Sequence, residues 1–197
     1  MQNQKPTMLK RNREKLVTEF VVKLLASFGE DVSREGLVET PHRVYRMYEE
    51  LLDGYSQNPG LVFKTFKSNG YKDLVTVTNI DFYSLCEHHL VPFFGKVHIG
   101  YVPNGKILGL SKFARLIEIY SRRLQTQENL TKQIFNAIKK GLHPKGCVVR
   151  IEAEHLCISM RGVKKKDFLA KTTISDGLMK KRKDLINQFF RDIEEKV

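Results

Sequence analysis

Apolar residues recur at helical spacing in the first part of the chain. Between residues 11 and 28 they repeat at every fourth position, namely Leu16, Phe20, Leu24 and Phe28. A second apolar stripe follows Thr40-Pro41, where threonine predicts an N-cap and proline predicts the first helical position. We therefore predict an N-terminal helical region over 11–60. We predict that residues 1–10, which precede this region, form a disordered tail.

The pattern changes to alternation in residues 61–197, the predicted second domain. Residues 74–83 and 95–102 alternate and are rich in β-branched and aromatic types, which predicts two strands. The elements predicted after them are helices over 111–124 and 126–140, strands over 147–160 and 169–175, and a helix over 178–195. Because strands and helices come in pairs and do not alternate one by one, this order predicts the α+β class with a mainly antiparallel sheet.

The chain has three cysteines and six histidines, and it places a cysteine and two histidines together in C-E-H-H at 86–89. Cys86 and His89 are close enough in sequence to converge across a turn. In the predicted strand that follows Cys147, His155 and Cys157 are two apart, so they should share a face. Zinc prefers such nitrogen and sulfur ligands in tetrahedral geometry. If all four bind, the site is closed and structural, whereas three ligands leave a position for catalytic water.

Basic residues gather at the predicted start of the third helix. Ser111 is the expected N-cap, with Lys112 and Arg115 in the turns that follow. A helix N-terminus offers free N–H donors and the positive end of the helix dipole, which favours anions. Arg161 follows Cys157 closely and adds a guanidinium suited to bidentate phosphate contacts. Together these residues suit a triphosphate, although each one alone is equally compatible with a solvated surface charge.

Further residues are suited to recognising a nucleobase or to transferring protons to it. Glu128, with Gln127 beside it, can accept the N1–H and exocyclic amine of guanine, a donor pair that adenine lacks. The same glutamate can instead serve only to complement the helix dipole. His88 is next to the candidate ligands and can act as a general acid or base near neutral pH, or lie at the surface. Cys147 has no such neighbours and is expected in the core.

Composition limits the class of protein. The 197 residues carry a formal net charge of +12, but residues 1–60 are charge-balanced, so the surplus lies in the domain with the His/Cys cluster. That surplus suits either a nucleic acid or a small polyanion such as a nucleoside triphosphate. An odd number of cysteines argues against a disulfide framework. The sequence has neither an apolar signal core nor a long apolar run, so we expect a cytoplasmic protein without a membrane partner.

Three motifs identify a family resemblance. The segments CEHHLVPFFGK, GLSKFAR and EHLCISMRG closely resemble GTP cyclohydrolase I in its zinc-dependent form. The likeness extends from about Thr40 to the C-terminal helix, and the zinc-independent relatives lack the cysteine found here as Cys86. The resemblance implies the tunnelling fold for 61–197, in which subunits pair their antiparallel sheets into a barrel. It also implies a homodecamer of two stacked pentamers, with sites at subunit boundaries.

The resemblance also implies a role for each matching residue. The implied zinc ligands are Cys86, His89 and Cys157, which leaves the fourth position open. The implied catalytic histidines are His88 and His155. The implied guanine-recognition segment is Gln127 with Glu128, and the implied triphosphate contacts are Ser111, Lys112, Arg115 and Arg161. The implied reaction opens the imidazole ring of GTP, releases formate and gives 7,8-dihydroneopterin triphosphate for folate or biopterin synthesis.

Two competing functions predict different behaviour. Another tunnelling-fold enzyme, such as a nitrile reductase, would need a different cysteine arrangement and a nicotinamide cofactor. A zinc-stabilised nucleic-acid-binding module would use four protein ligands, show no turnover and bind in a strongly salt-dependent way. The basic runs of this chain lack regularly interleaved aromatic residues, which disfavours nucleic acid as a partner.

Overall fold

The structure is a computed structural model that describes residues 8–195. The chain divides into two compact units, Met1–Leu52 and Asp53–Val197. Residues 1–7 of the predicted tail lie outside the described part, whereas residues 8–10 already belong to the first helix. The second unit begins at Asp53, somewhat earlier than the predicted boundary after residue 60.

The elements follow the predicted order of helices, strands, helices, strands and a final helical segment. The helices are α1 (Met8–Ser27), α2 (Thr40–Leu51), α3 (Leu110–Ser121), α4 (Gln127–Leu142), α5 (Leu156–Ser159), α6 (Gly177–Lys181) and α7 (Lys183–Glu194). The strands are β1 (Thr65–Lys67), β2 (Val75–Cys86), β3 (Pro92–Val102), β4 (Lys106–Leu108), β5 (Leu124–Gln125), β6 (Gly146–His155) and β7 (Leu169–Asp176).

The first unit consists mainly of α1 and α2. The apolar stripe predicted for the first helix is exposed, with Phe20 61% and Phe28 83% accessible, while Val21 is buried. The prediction of Thr40 as N-cap was wrong, because Glu39 holds that position and Thr40 is already helical. The Thr40 N–H instead donates to the carbonyl of Leu37 in the preceding turn, 2.9 Å away.

The second unit is built on a five-stranded sheet in the order β5-β2-β3-β6-β7. All of its neighbours are antiparallel except the short β2–β5 pair, which confirms the predicted α+β class. A separate antiparallel ladder joins β1 to β4. Residues alternate along β3, so Val97 and Ile99 face one layer while His98 and Val102 face the other.

The two faces of the sheet carry separate hydrophobic cores. The larger core packs the sheet against α3 and α4, and its fully buried members include Phe93, Val97, Ile99, Phe113, Leu116, Leu130, Ile134, Ile138, Val149 and Ile151. Burying each such side chain contributes about 1.5–3 kcal/mol. The smaller core places Phe189 of α7 and Met179 of α6 over Val102 and Val148. These cores hold the ends of β2 and β6, where the candidate site lies.

Most predicted elements differ from the structure by a few residues at their ends, and three differences bear on the site or the fold. The strand predicted over 147–160 ends at His155 and continues as the helical turn α5. The helix predicted over 178–195 is broken at Arg182, whose backbone is extended. Gly109 rather than Ser111 occupies the N-cap position of α3, so the predicted capping role of Ser111 was wrong. No helix within residues 8–195 has the length and apolar character that a membrane span requires.

Candidate metal centre and substrate cavity

The C-E-H-H segment forms a tight turn at the end of β2. The carbonyl of Cys86 accepts the N–H groups of His89 and Leu90 at 3.3 and 2.9 Å, and Leu90 adopts a positive φ of 55°. This turn folds both imidazoles back over the cysteine. The Nδ1 atoms of His88 and His89 each lie 3.9 Å from the Cys86 Sγ.

Cys157 reaches the same place from the other side of β3. It lies in α5, directly after β6, so the prediction that it shares a strand face with His155 was wrong. The ligand atoms of Cys86, His89 and Cys157 lie within 4.8 Å of one another, which is a group that could hold a metal ion. Within residues 8–195 this group has three members and does not include His155.

The dimensions and chemistry of this group fit a tetrahedral metal. Zinc binds sulfur at about 2.3 Å, so two thiolates on one ion lie roughly 3.8 Å apart. The observed spacing of up to 4.8 Å therefore needs only small side-chain rotations. Burial raises the pKa of the Cys157 thiol, the neighbouring Cys86 raises it further, and the charge of Arg161 opposes both effects. A bound cation would favour the thiolate forms of both cysteines.

The three ligand side chains open into a cavity of about 390 Å³. Its lining includes seven residues predicted from the sequence: Cys86, His88, His89, Gln127, Glu128, His155 and Cys157. The volume is within the range of small-molecule sites in proteins. Glu128 is exposed in the first turn of α4, whose N-cap Thr126 accepts the Asn129 N–H at 3.2 Å. The structure thus brings the candidate metal ligands, acid–base groups and base reader together.

His155 contacts two residues, Phe93 and Gln127, that the sequence analysis did not predict as its neighbours. Its ring stacks on Phe93 with a centroid separation of 4.7 Å and an interplanar angle of 6°. Its Nε2 lies 2.9 Å from the Oε1 of Gln127. Burial lowers the pKa of His155, and the nearby charge of Glu128 opposes that effect. Phe93 faces His155 across the β3–β6 register, and no motif in the sequence indicates this pairing.

The predicted phosphate-binding residues do not join the cavity within one chain. Ser111, Lys112 and Arg115 lie in the first turns of α3, and none of them lines the cavity. Arg161 is exposed just after α5 and also does not line it, although its charge acts on Cys157. One chain therefore presents the candidate metal ligands and Glu128 in the cavity, and the three α3 residues elsewhere.

The fold and the cavity define an α+β protein with an open cysteine–histidine site that could hold a metal ion. The family described as GTP cyclohydrolase I matches residues 17–194. Consequently, this chain belongs to the GTP cyclohydrolase I family. That membership, with the observed antiparallel sheet and packed helices, supports the predicted tunnelling fold.

Individual relatives agree with the family match. A protein named GTP cyclohydrolase 1 from Clostridium perfringens (strain 13 / Type A) is 49% identical over 171 residues, covering 86% of this chain and 92% of its own length. A protein of the same name from Chlorobium chlorochromatii is 47% identical over 175 residues, covering 88% and 78%. The crystal structure of the archaeosine synthase QueF-Like in the apo form is 17% identical, covers 53% of this chain and 94% of that one, and has a TM-score of 0.46.

Proposed function

We propose that this chain acts as a zinc-dependent GTP cyclohydrolase I. It opens the imidazole ring of GTP, releases formate and rearranges the remainder to 7,8-dihydroneopterin triphosphate. The observation that carries this proposal is the convergence of Cys86, His89 and Cys157 in a cavity that also contains Glu128 and His155. The family to which the chain belongs supports the same reaction.

The metal in this proposal is zinc, held by Cys86, His89 and Cys157. Two sulfurs and one nitrogen are a ligand set that zinc accepts, and three protein ligands leave a fourth position open. When bound, zinc acts as a Lewis acid and lowers the pKa of a water molecule toward about 7. His155 stays outside the ligand set because its ring nitrogens do not lie within 4.8 Å of all the ligand atoms of this group.

The base of GTP is recognised by Glu128 at the edge of the cavity. Its carboxylate accepts the N1–H and the exocyclic amine of guanine, two parallel donors that adenine does not present. This contact places the five-membered ring of the purine toward His88 and His155, which line the same cavity. Glu128 therefore serves both to select GTP and to orient it.

The histidines supply the protons that the reaction requires. As water adds to C8 of guanine, His155 or His88 delivers a proton to N7. The C8–N9 bond then breaks, N9 takes the proton of the new C8 hydroxyl, and a formamide remains on N7. A second water releases the formyl carbon as formate and frees the amine. The ribose then opens and rearranges, and the new ring closes on that amine with loss of water. These later steps are general acid–base chemistry for the same two side chains.

The triphosphate is bound by cations from two places. Arg161 is close to the metal group, whereas Ser111, Lys112 and Arg115 lie on α3 and outside the cavity of the same chain. We propose that a neighbouring copy supplies α3, so that sites form at subunit boundaries of a homo-oligomer, a decamer of two pentamers. Sheets of adjacent copies would join edge to edge into the barrel of the tunnelling fold.

The test is product analysis on the purified, zinc-loaded chain. GTP or ATP is added, formate is measured, and the oxidised mixture is examined for pterin fluorescence. The proposal predicts formate and pterin in equal amounts from GTP and neither from ATP. Tightly bound zinc with no product would contradict the proposal and would favour a structural zinc site in a nucleic-acid-binding module. That alternative would be tested by measuring nucleic-acid binding at several salt concentrations.

A further inference from the structure

We propose that Gln127 is a positioning residue that holds His155 as its Nε2–H tautomer and leaves Nδ1 as the nitrogen that exchanges a proton with the substrate. The proposal reassigns Gln127 from the guanine contact implied by the family resemblance. It rests on the proposed function for the role of His155, but the hydrogen bonding that supports it does not depend on any reaction.

The orientation of the Gln127 amide is determined by its surroundings. The side chain is buried, and its Nε2 lies 3.1 Å from the carbonyl oxygens of Ile151 and Ala170. Carbonyl oxygens only accept hydrogen bonds, so the NH2 group must face them. The opposite orientation would put Oε1 against two oxygens in a buried place, where unsatisfied polar contacts are costly. The Oε1 atom therefore faces His155.

A pair of threonine hydroxyls fixes the same orientation independently. Thr131 Oγ1 lies 2.7 Å from the backbone carbonyl oxygen of Gln127. Because a carbonyl oxygen can only accept, the Thr131 hydroxyl donates its hydrogen to it. In the 2.7 Å contact between Thr131 and Thr172, Thr172 must then be the donor. The Thr172 Oγ1 is left as an acceptor, and it lies 3.1 Å from the Gln127 Nε2. The two hydrogens of the Gln127 amide thus face three acceptors, and none of these three atoms has a hydrogen left to donate to an oxygen placed there.

The consequence for His155 follows from the chemistry of an imidazole. The Gln127 Oε1 carries only lone pairs, so the His155 Nε2, 2.9 Å away, must carry a hydrogen. A neutral imidazole has one N–H, which leaves Nδ1 as the free acceptor. Stacking on Phe93 fixes the plane of the ring as well. Proton transfer by His155 is therefore confined to Nδ1, whether the ring is giving or receiving.

The contacts require glutamine and no close analogue. A glutamate at position 127 could accept from His155 but could not donate to the carbonyls of Ile151 and Ala170. A methionine has a similar shape but neither donates to those carbonyls nor accepts strongly from His155. The variant Gln127→Glu thus removes only the hydrogen bonds that the amide donates, including those to the two carbonyls, whereas Gln127→Met removes these and the hydrogen bond from His155. Gln188→Met, at an exposed position of α7, is the matched control.

The experiment is NMR of the full, zinc-loaded chain with 15N-labelled histidine rings, with the His155 signals assigned by their loss in His155→Phe. The proposal predicts a protonated Nε2 and an unprotonated Nδ1 in the neutral ring of the native chain. In Gln127→Met the His155 signals should become those of a tautomer mixture, while Gln188→Met leaves them unchanged. A native ring protonated at Nδ1, or an unaltered tautomer in Gln127→Met, would overturn the proposal.

Kinetics add a second readout that a guanine contact would not share. The loss of positioning predicts that kcat falls about 10- to 100-fold in Gln127→Met with KM for GTP within about twofold, because proton transfer is affected and binding is not. A large rise in KM with an unchanged tautomer would make Gln127 a substrate contact instead. If Gln127→Met does not fold, Thr172→Val removes one acceptor of the amide and should give a smaller tautomer change. Absence of product from the native chain would contradict the proposed function and leave the NMR result standing.

Discussion

The thiols of Cys86 and Cys157 approach within 4.8 Å, although β3 separates the strands that carry them to this point. Cys86 is the last residue of β2, and Cys157 lies in the turn α5 after β6. Both strands pair with β3, one on each side of it, and both stop at its N-terminal end, near Pro92 and Phe93. The alignment of two strand ends is thus what creates the candidate metal centre.

Replacing either of these cysteines should remove the metal. We expect Cys86→Ser and Cys157→Ser to lose bound zinc and to lose formate production together, because a hydroxyl is a far weaker zinc ligand than a thiolate. Metal analysis of the purified variants measures the first effect. Cys147→Ala is the matched control, since Cys147 is fully buried in the core and outside the group. A Cys157→Ser chain that is free of zinc and fully active would refute this assignment.

Changing Glu128 should weaken the selection of GTP. Glu128→Gln keeps the length of the side chain but loses the second acceptor and the charge. Since a hydrogen bond to a charged group contributes about 1.5–3 kcal/mol, kcat/KM for GTP should fall roughly 10- to 100-fold. Pterin formation from GTP measures it. Glu118→Gln, at an exposed glutamate of α3 outside the cavity, should leave kcat/KM unchanged. Equal losses in both variants would contradict the role of Glu128.

Mixing two inactive variants should restore activity if each site is shared between copies. Cys157→Ser damages the metal group, and Lys112→Ala damages the α3 cations. In a randomly reassembled mixture of equal parts, about a quarter of the sites would combine an intact metal group with an intact α3 from another copy. The measurement is pterin formation after unfolding and refolding the two variants together. An inactive mixture, beside a refolded native chain that regains activity, would show that both parts come from the same chain.

The fold class was predictable because local patterns and tertiary contacts agree in most elements. The alternation of β3 is visible in the sequence, and Val97, Ile99 and Tyr101 do face the larger core. The end of β6 was not predictable in the same way. Leu156, Cys157 and Ile158 have apolar or β-branched side chains that continue a strand pattern, yet the chain turns there into α5. The turn is set by tertiary contacts at the end of the sheet, which periodicity does not report.

The candidate site was predictable only in part. Spacing placed Cys86 near His89, and the turn at the end of β2 explains why they converge. The equivalent argument for His155 and Cys157 rested on a strand that the structure does not continue, so the predicted shared strand face does not exist, although both residues line the cavity. The contact between Gln127 and His155 depends on the docking of α4 against the sheet. No local signal in the sequence encodes that contact.

His98 should make the stability of the second unit depend on pH. It is 2% exposed, and its Nδ1 accepts the Asn79 N–H at 3.3 Å. Burial lowers the pKa of His98 below its ordinary value of 6.5, against a raising effect of Glu152, while Arg150 and Lys96 lower it further. The unfolded chain then binds the proton more readily than the folded chain, so stability is full above pH 6.5 and declines as pH falls below it.

The measurement is urea unfolding at pH 7.5 and pH 5.5. The native chain should lose stability between the two, and His98→Gln should lose less, because glutamine cannot be charged and can still accept the Asn79 N–H. His143→Asn changes an exposed histidine at the left-handed C-cap of α4, where asparagine is tolerated, and should keep the native pH dependence. A His98→Gln chain with the native pH dependence would show that other groups cause the decline.

The most direct test of the central claim is a zinc titration of the chelator-treated chain with GTP present throughout. Pterin fluorescence and bound zinc are followed in the same samples. The account predicts no pterin without metal and a rise in proportion to bound zinc, ending when the site formed by Cys86, His89 and Cys157 is filled. Full turnover by the metal-free chain, or saturation with zinc without any turnover, would contradict it.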